Sequence, residues 1–278
     1  MYFYQDKFMP KEDVHISPDD RGYYFGDGIY EVIRIYKGQL FERQRHLTRL
    51  AQSAAEIRIS LPYTIEQINA ILDKLIAESN IQSGNLYMQI TRGEGPRSHA
   101  FIPNTEAVML AYCTEMVRPL EQLQNGIAVI TIDDTRWLHC NVKALNLIPN
   151  VLAKQSAFEQ GAKEAILHRD GVITEASIAN FMVIKNGILF THPANNLILH
   201  GVTRAVVLDL AAQANIPYEE KAIRLEDLSD IDEAFITSTN AEITPVIQID
   251  GILVGQGTPG PVTRKLQQLY EEYAQLDI

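Results

Sequence analysis

Cysteine is scarce in this chain: its 278 residues contain two, Cys113 and Cys140. Two thiols are too few for a disulfide framework and show no metal-ligand spacing, so both read as packing residues in a reducing compartment and no metal site is expected. Long apolar runs are lacking as well, and no segment reaches the roughly 20 residues that a membrane-spanning helix needs. Asp6 and Lys7 bring charge into the N-terminus before an export signal can develop, which makes a cytoplasmic protein the expectation. Positive charge is in short supply: 24 Lys and Arg stand against 35 Asp and Glu, a net charge of -11. Such a chain repels nucleic acid and anionic membranes at long range, so an anion site has to be built locally from a few placed cations. Low-complexity tracts and internal repeats are missing too. What is present is an ordinary globular composition, 46% hydrophobic and 21% charged. The length suits two domains, each able to close a core.

Residues 29–36 are β-branched and aromatic and stop at Lys37-Gly38, which predicts a strand. Leu47, Leu50, Ala54 and Ile57 recur at helical spacing over 44–57, and Ile68, Leu72 and Leu75 do so over 65–76. Strands are expected at 86–91 and 107–112, on either side of a polar loop, Arg92-Gly-Glu-Gly-Pro-Arg-Ser-His99, that is long enough to reach elsewhere. The pattern lapses around 114–126. The expected division is a smaller α/β domain over 1–118, a linker at 119–122 and a larger domain over 123–278. A strand at 127–132 opens the second half, and helices are predicted at 150–160, ending on Gly161, at 202–214 and at 261–274. Asp170-Gly171, Asn186-Gly187 and Asp250-Gly251 are hairpin signals, so antiparallel pairing should dominate there and the fold class is α+β.

Charge is also absent locally: between Trp137 and Ala153 the sole Asp, Glu, Lys or Arg is Lys143. A lysine in such a setting either snorkels out of a core or is kept for an amine that can form a Schiff base with a carbonyl. Glu175, after the short strand 172–174, reads by itself as a solvated strand-end carboxylate. A pyridoxal cofactor would link the two, because it needs an amine, a carboxylate for its ring nitrogen and a cradle for its phosphate. Leu199-His-Gly-Val-Thr-Arg204 offers backbone amides and a hydroxyl where a helix opens, and Thr237-Ser-Thr-Asn240 offers small polar side chains after an apolar strand. Either segment is equally a plain turn. Arg49 is solvated on its helix or turns its fork toward a phosphate. Arg97 and His99 in the loop, with Tyr30 and Glu31 on the strand after Gly26-Asp27-Gly28, could hold a carboxylate or lie in solvent. From the residues alone, the reading is an anion-binding α+β enzyme with a candidate Schiff-base lysine.

Arg21-Gly-Tyr-Tyr-Phe-Gly-Asp-Gly-Ile-Tyr-Glu31, Lys143-Ala-Leu-Asn146, Thr174-Glu-Ala-Ser177, Gly201-Val-Thr-Arg204 and Ser238-Thr-Asn-Ala-Glu-Ile-Thr-Pro245 together resemble fold-type IV pyridoxal-phosphate enzymes. The likeness is greatest to the bacterial D-amino-acid transaminases and runs nearly end to end. It implies that Lys143 binds pyridoxal 5'-phosphate and shuttles the substrate proton, and that Glu175 meets the pyridine nitrogen. Arg49, Val202, Thr203, Ser238 and Thr239 match the phosphate contacts, and Arg136 and Trp137 match residues beside the cofactor. Tyr30, Arg97 and His99 match the trap for the substrate α-carboxylate, completed in the family by the neighbouring subunit of a homodimer whose active sites lie at the interface. The implied reaction moves the amino group of D-amino acids to 2-oxo acids by a ping-pong cycle, with D-alanine and 2-oxoglutarate as the expected pair. The presence of both Arg97 and His99 favours a D-specific carboxylate site over the L-branched-chain transaminases of the same fold, and an aminodeoxychorismate lyase is the other rival within it. The chain departs from its relatives at Ile178 and Ala179, where they carry small hydroxyl residues, and at Asn240, which replaces a hydroxyl beside the phosphate-binding pair. A modest effect on cofactor retention is the expectation there.

Overall fold

The computed structural model describes residues 1–276. Two compact units make up the chain, one of Met1–Val117 with Val142–Asn146, the other of Arg118–Asn141 with Leu147 onward. In the first unit β1 (Tyr2–Tyr4), β2 (Lys7–Met9), α1 (Arg21–Phe25), β3 (Gly28–Tyr36), β4 (Gln39–Leu40), α2 (Arg43–Glu56), α3 (Ile65–Ser79), β5 (Ser83–Thr91) and β6 (Val108–Glu115) follow one another. Its six-stranded sheet has the order β2-β1-β6-β5-β3-β4 and is antiparallel throughout.

The period of two along β3 explains how this unit is built. Ile29, Ile33 and Ile35 project from one face, beside Leu86 and Ile90 of β5, and α2 and α3 cover that face with Leu47, Leu50, Ala54, Ile68, Leu72 and Leu75. The same period puts Glu31 into the apolar face, where it is fully buried. An ionised carboxylate there requires cations and donors, and α2 supplies both. Arg49 donates Nε to Oε1 and Nη2 to Oε2, each at 2.8 Å, and His46 Nδ1 lies 2.7 Å from Oε2. Burial opposes ionisation of Glu31, but the Arg49 charge and hydrogen bonds outweigh it, with help from His46, and hold the pKa at about 2. A carboxylate that only accepts makes His46 Nδ1 the donor.

The second unit contains α4 (Leu120–Asn125), β7 (Ile127–Asp133), α5 (Ile148–Glu159), β8 (Glu164–Arg169), β9 (Val172–Ala176), β10 (Asn180–Lys185), β11 (Ile188–Thr191), α6 (Val202–Gln213), β12 (Tyr218–Glu220), β13 (Glu233–Ser238), β14 (Glu242–Ile249), β15 (Ile252–Leu253) and α7 (Pro261–Tyr273). The order of its sheet is β12-β11-β10-β13-β14-β7-β8-β9, with β15 on β14. All three hairpin signals close hairpins, and Asp170 (φ 49°) and Gly171 (φ 77°) show why, since both central residues are left-handed. Antiparallel pairing dominates as expected, with parallel exceptions: β12 runs parallel to β11 at one edge, and β7 runs parallel to both β14 and β8, with α5 carrying the chain back over the sheet between β7 and β8.

The expected boundary near 118–123 also misses one return of the chain. Ala144 bridges Ile29 and Leu145 N donates to Gly28 O at 3.0 Å, so Val142–Asn146 extends the β3 edge that the two-residue β4 leaves uncovered. The fold class is α+β. Glu31→Gln is expected to lower stability at pH 7 by about 3 kcal/mol, since it strands Arg49 in the core. The wild-type contribution is present above the ordinary value of 4.5 and fades as pH falls from there to about 2. Urea unfolding across that range should therefore show a shallower acid limb in the variant.

Candidate active site

Within the first unit, Lys143 is pinned by its backbone. Its carbonyl accepts from Tyr30 N at 3.0 Å and its N–H donates to Ser53 Oγ at 3.2 Å. The half-buried side chain carries Nζ to 4.2 Å from the centre of the Tyr30 ring, a cation–π contact. Tyr30 stacks in turn on Tyr87 at 6.0 Å. The apolar segment is thus an added strand-like edge that presents an amine. Arg49, for which the sequence left solvent or phosphate open, is buried, and Nε and Nη2 are committed to Glu31. His46, beside it, has its pKa lowered by burial; the Glu31 carboxylate works against this, while Arg49 and Lys143 add to it. Arg97 and His99 are exposed in the loop after β5, and each leans on Phe25 at 5.3 Å. Among the described residues, no carboxylate lies within ion-pair reach of either side chain. The structure therefore groups Arg97 with His99 at Phe25, and Tyr30 with Lys143.

Within the second unit, Glu175 is buried near the end of β9. Oε1 accepts from Arg136 Nη1 at 2.5 Å and Leu199 N at 3.0 Å, and Oε2 from Asn180 Nδ2 at 2.9 Å. Burial raises its pKa, and the Arg136 charge opposes the rise. Arg136 is itself aimed by Asp134, which takes its Nε and Nη2 at 2.9 and 2.8 Å and also accepts from Arg169 and Thr174. The bland reading of Glu175 as a solvated strand-end group is excluded.

Asn180 ties the unit-two residues together. It donates to Glu175 and to Leu199 O at 2.8 Å, and it stands opposite Thr237 across β10 and β13. A Cβ on Gly201 would come within 2.0 Å of its Oδ1, so a glycine is required where α6 begins. Val202 and Thr203, the first residues of α6, follow Gly201 with no side-chain cap. The contrast is α7, whose first amides, Val262 N and Thr263 N, go to the Glu233 carboxylate at 3.0 and 2.8 Å. Ser238 ends β13, its Oγ accepting from Ala241 N at 3.1 Å, and Thr239 follows it. Thr237 Oγ1 and Asn240 Oδ1 beside them are buried without a partner among the described residues. The Thr237 hydroxyl has a proton to donate to a bound group there, and an uncapped helix start attracts an anion. A carboxylate, an open helix start and small polar side chains fit a phosphorylated pyridine. Of the departures from the family, Ile178 is 64% exposed and Ala179 is buried.

Sequence reasoning missed Asn180, Asp134 and His46. The register of β10 on β13 places Asn180, and no short motif announces it. His46 was legible in principle, because it lies one helical turn before Arg49 on the face that meets Glu31.

Residues 28–249 match the family described as amino-transferase class IV. A D-alanine aminotransferase of Staphylococcus haemolyticus is 44% identical over 272 residues, 98% of this chain and 96% of its own length. One from Listeria monocytogenes serotype 4b is 47% identical over 267 residues, 95% of this chain and 92% of its own. Among solved structures, a T.th. branched-chain amino acid aminotransferase with pyridoxamine 5'-phosphate superposes with a TM-score of 0.90 at 26% identity, over 98% of this chain and 93% of that one. With the family pattern matched over most of the chain and relatives of this identity matched nearly end to end, the protein belongs to the class IV amino-transferases.

Proposed function

We propose that the protein is a pyridoxal-phosphate-dependent transaminase that moves the amino group of D-amino acids to 2-oxo acids. The observation that carries this reading is the exposed pair Arg97 and His99, each against the Phe25 ring and free of carboxylate partners among the described residues. A guanidinium fork and an imidazole suit a substrate α-carboxylate. The relatives named D-alanine aminotransferase, at 44% and 47% identity, support the D hand.

Bound pyridoxal phosphate supplies an electron sink for the electrons left at the substrate Cα. Lys143 Nζ is the amine that takes and returns the proton at that carbon, and its backbone contacts to Tyr30 and Ser53 fix where it works from. Glu175 holds a proton on the ring nitrogen: with Oε1 occupied by two donors and Oε2 by one, Oε2 keeps room for another. The first amides of α6 at Val202 and Thr203, with Ser238 and Thr239, receive the phosphate. Arg49 adds positive charge from a position set by Glu31. Tyr30, Arg97 and His99 receive the substrate carboxylate.

A homodimer completes the reading. Ile148, Val151, Leu152 and Phe158 form an apolar stripe on α5 and are 69%, 58%, 62% and 75% exposed, a face that a second copy would cover. The two free thiols, Cys113 and Cys140, suit a cytoplasmic setting.

Turnover of D-alanine with 2-oxoglutarate, assayed beside L-leucine and 4-amino-4-deoxychorismate, tests the reaction; preference for either of the latter two overturns it. Lys143→Ala is expected to lose both borohydride trapping of the cofactor and transamination, and a variant that keeps both removes the assignment. Arg97→Ala should raise KM for D-alanine roughly tenfold with a smaller fall in kcat, as loss of a charged ligand does. Leu152→Glu is expected to shift the sedimenting species toward monomer.

A further inference from the structure

The loop that bears Arg97 and His99 is gripped by groups to which the proposed reaction gives no role. Arg21, 2% exposed, sends Nη1 to Ser98 O at 2.5 Å and Ala100 O at 3.4 Å, and Nη2 to His99 O at 3.4 Å. Its Nε is held on Asp27 at 2.9 Å. Asp27 is in turn clamped by Arg92 through Nε and Nη2 at 2.8 and 2.9 Å. Burial opposes ionisation of Asp27, yet the hydrogen bonds and charges of Arg92 and Arg21 keep its pKa below the ordinary carboxylate value. The bridge therefore stays charged at neutral pH.

Phe25 completes the arrangement above this bridge. One face or edge of its ring meets each of three partners: the Arg21 guanidinium at 5.0 Å, the Arg97 guanidinium at 5.3 Å and the His99 ring at 5.3 Å. The base of the loop is fastened as well, since Arg21 N donates to Gly93 O at 2.9 Å and Gly95 N to Asp19 O at 3.1 Å. Gly93 has φ 101°, and a Cβ there would lie 1.9 Å from Glu106 O, so the loop cannot leave β5 along this path with a larger residue. An exposed arginine has many rotamers to lose on binding, and a ring that holds it beforehand reduces that loss.

We propose that Phe25 and Arg21 are positioning residues for substrate-carboxylate binding, Phe25 as the platform on which both Arg97 and His99 rest and Arg21 as the anchor of the loop backbone from Ser98 to Ala100. This rests on the reading of Arg97 and His99 as carboxylate ligands. A lysine at position 21 cannot reproduce the role, because one ammonium does not span Asp27 and three carbonyls as a planar fork does.

The test is steady-state kinetics of the holoenzyme with D-alanine and saturating 2-oxoglutarate, with thermal melting alongside. Phe25→Leu is expected to raise KM roughly three- to tenfold with kcat within about twofold and an unchanged melting temperature, and Phe25→Tyr should restore the wild-type KM. Arg21→Lys should raise KM in the same way; if it fails to fold, Phe25→Leu still decides. In an Arg97→Ala background, Phe25→Leu should add little, because its effect runs through Arg97. If Arg97→Ala raises KM but Phe25→Leu does not, the positioning role is overturned while the carboxylate site stands. If Arg97→Ala itself keeps the wild-type KM, the carboxylate reading fails and takes this inference with it. Equal losses in kcat and melting temperature for Phe25→Leu and Phe25→Tyr would show a structural role only, against the proposal.

Discussion

Burying a carboxylate without losing its charge is the constraint on which most of this structure rests. The chain has 35 acidic residues against 24 Lys and Arg, and several of the acids lie inside. Most of the buried and half-buried acids draw in a cation or a set of amides: Glu31 takes Arg49 and His46, Asp27 takes Arg21 and Arg92, Asp134 takes Arg136 and Arg169, Glu242 takes Arg118, and Glu233 takes the first amides of α7. Most of the arginines that a sequence reader would offer to a ligand are thus committed to the fold. Arg97, His99 and Lys143, in the loop and on the added edge, are not tied to a carboxylate among the described residues and gain meaning by contrast.

The two carboxylates nearest the proposed chemistry differ in a useful way. Glu31 is over-supplied with donors and its pKa is held at about 2, so it acts as a fixed negative charge. Glu175 has one guanidinium and two amide-type donors, and burial pushes its pKa up. A carboxylate left in that balance gains from one more cation, which a protonated ring nitrogen supplies. Both acids sit on strands, and both have a partner from elsewhere in the same unit that fixes the side chain before anything binds.

How much was legible in the sequence depended on how local the cause was. Asp-Gly and Asn-Gly pairs encode left-handed backbone within two residues, so the hairpins could be read directly. The helices α2, α3, α6 and α7 span enough turns for a periodic stripe to emerge. By contrast, α1 has five residues and β1 three, too short for any period, and α1 carries the Arg21 and Phe25 of the loop clamp. The return of Val142–Asn146 to the first unit depends on a bare stretch of β3 edge, which no run of side chains records. Glu31 was readable as an acid in an otherwise apolar register, and its partners followed only from where α2 crosses. Lys143, Glu175, Arg97 and His99 were singled out because their types suit the chemistry. Asn180 was missed because its position matters only once β10 is paired with β13.

The parallel core of the second unit bears on how the chain must be made. β14 lies between β13 and β7, yet it is synthesised long after β7. Until it emerges, β7 and β13 each expose a row of unpaired backbone groups to the surroundings. Pairing strands so far apart in sequence closes a long loop and is slow. A nascent chain of this protein therefore passes through a stage in which its largest sheet exists as two incomplete pieces with open edges, and a truncation before β14 leaves it there.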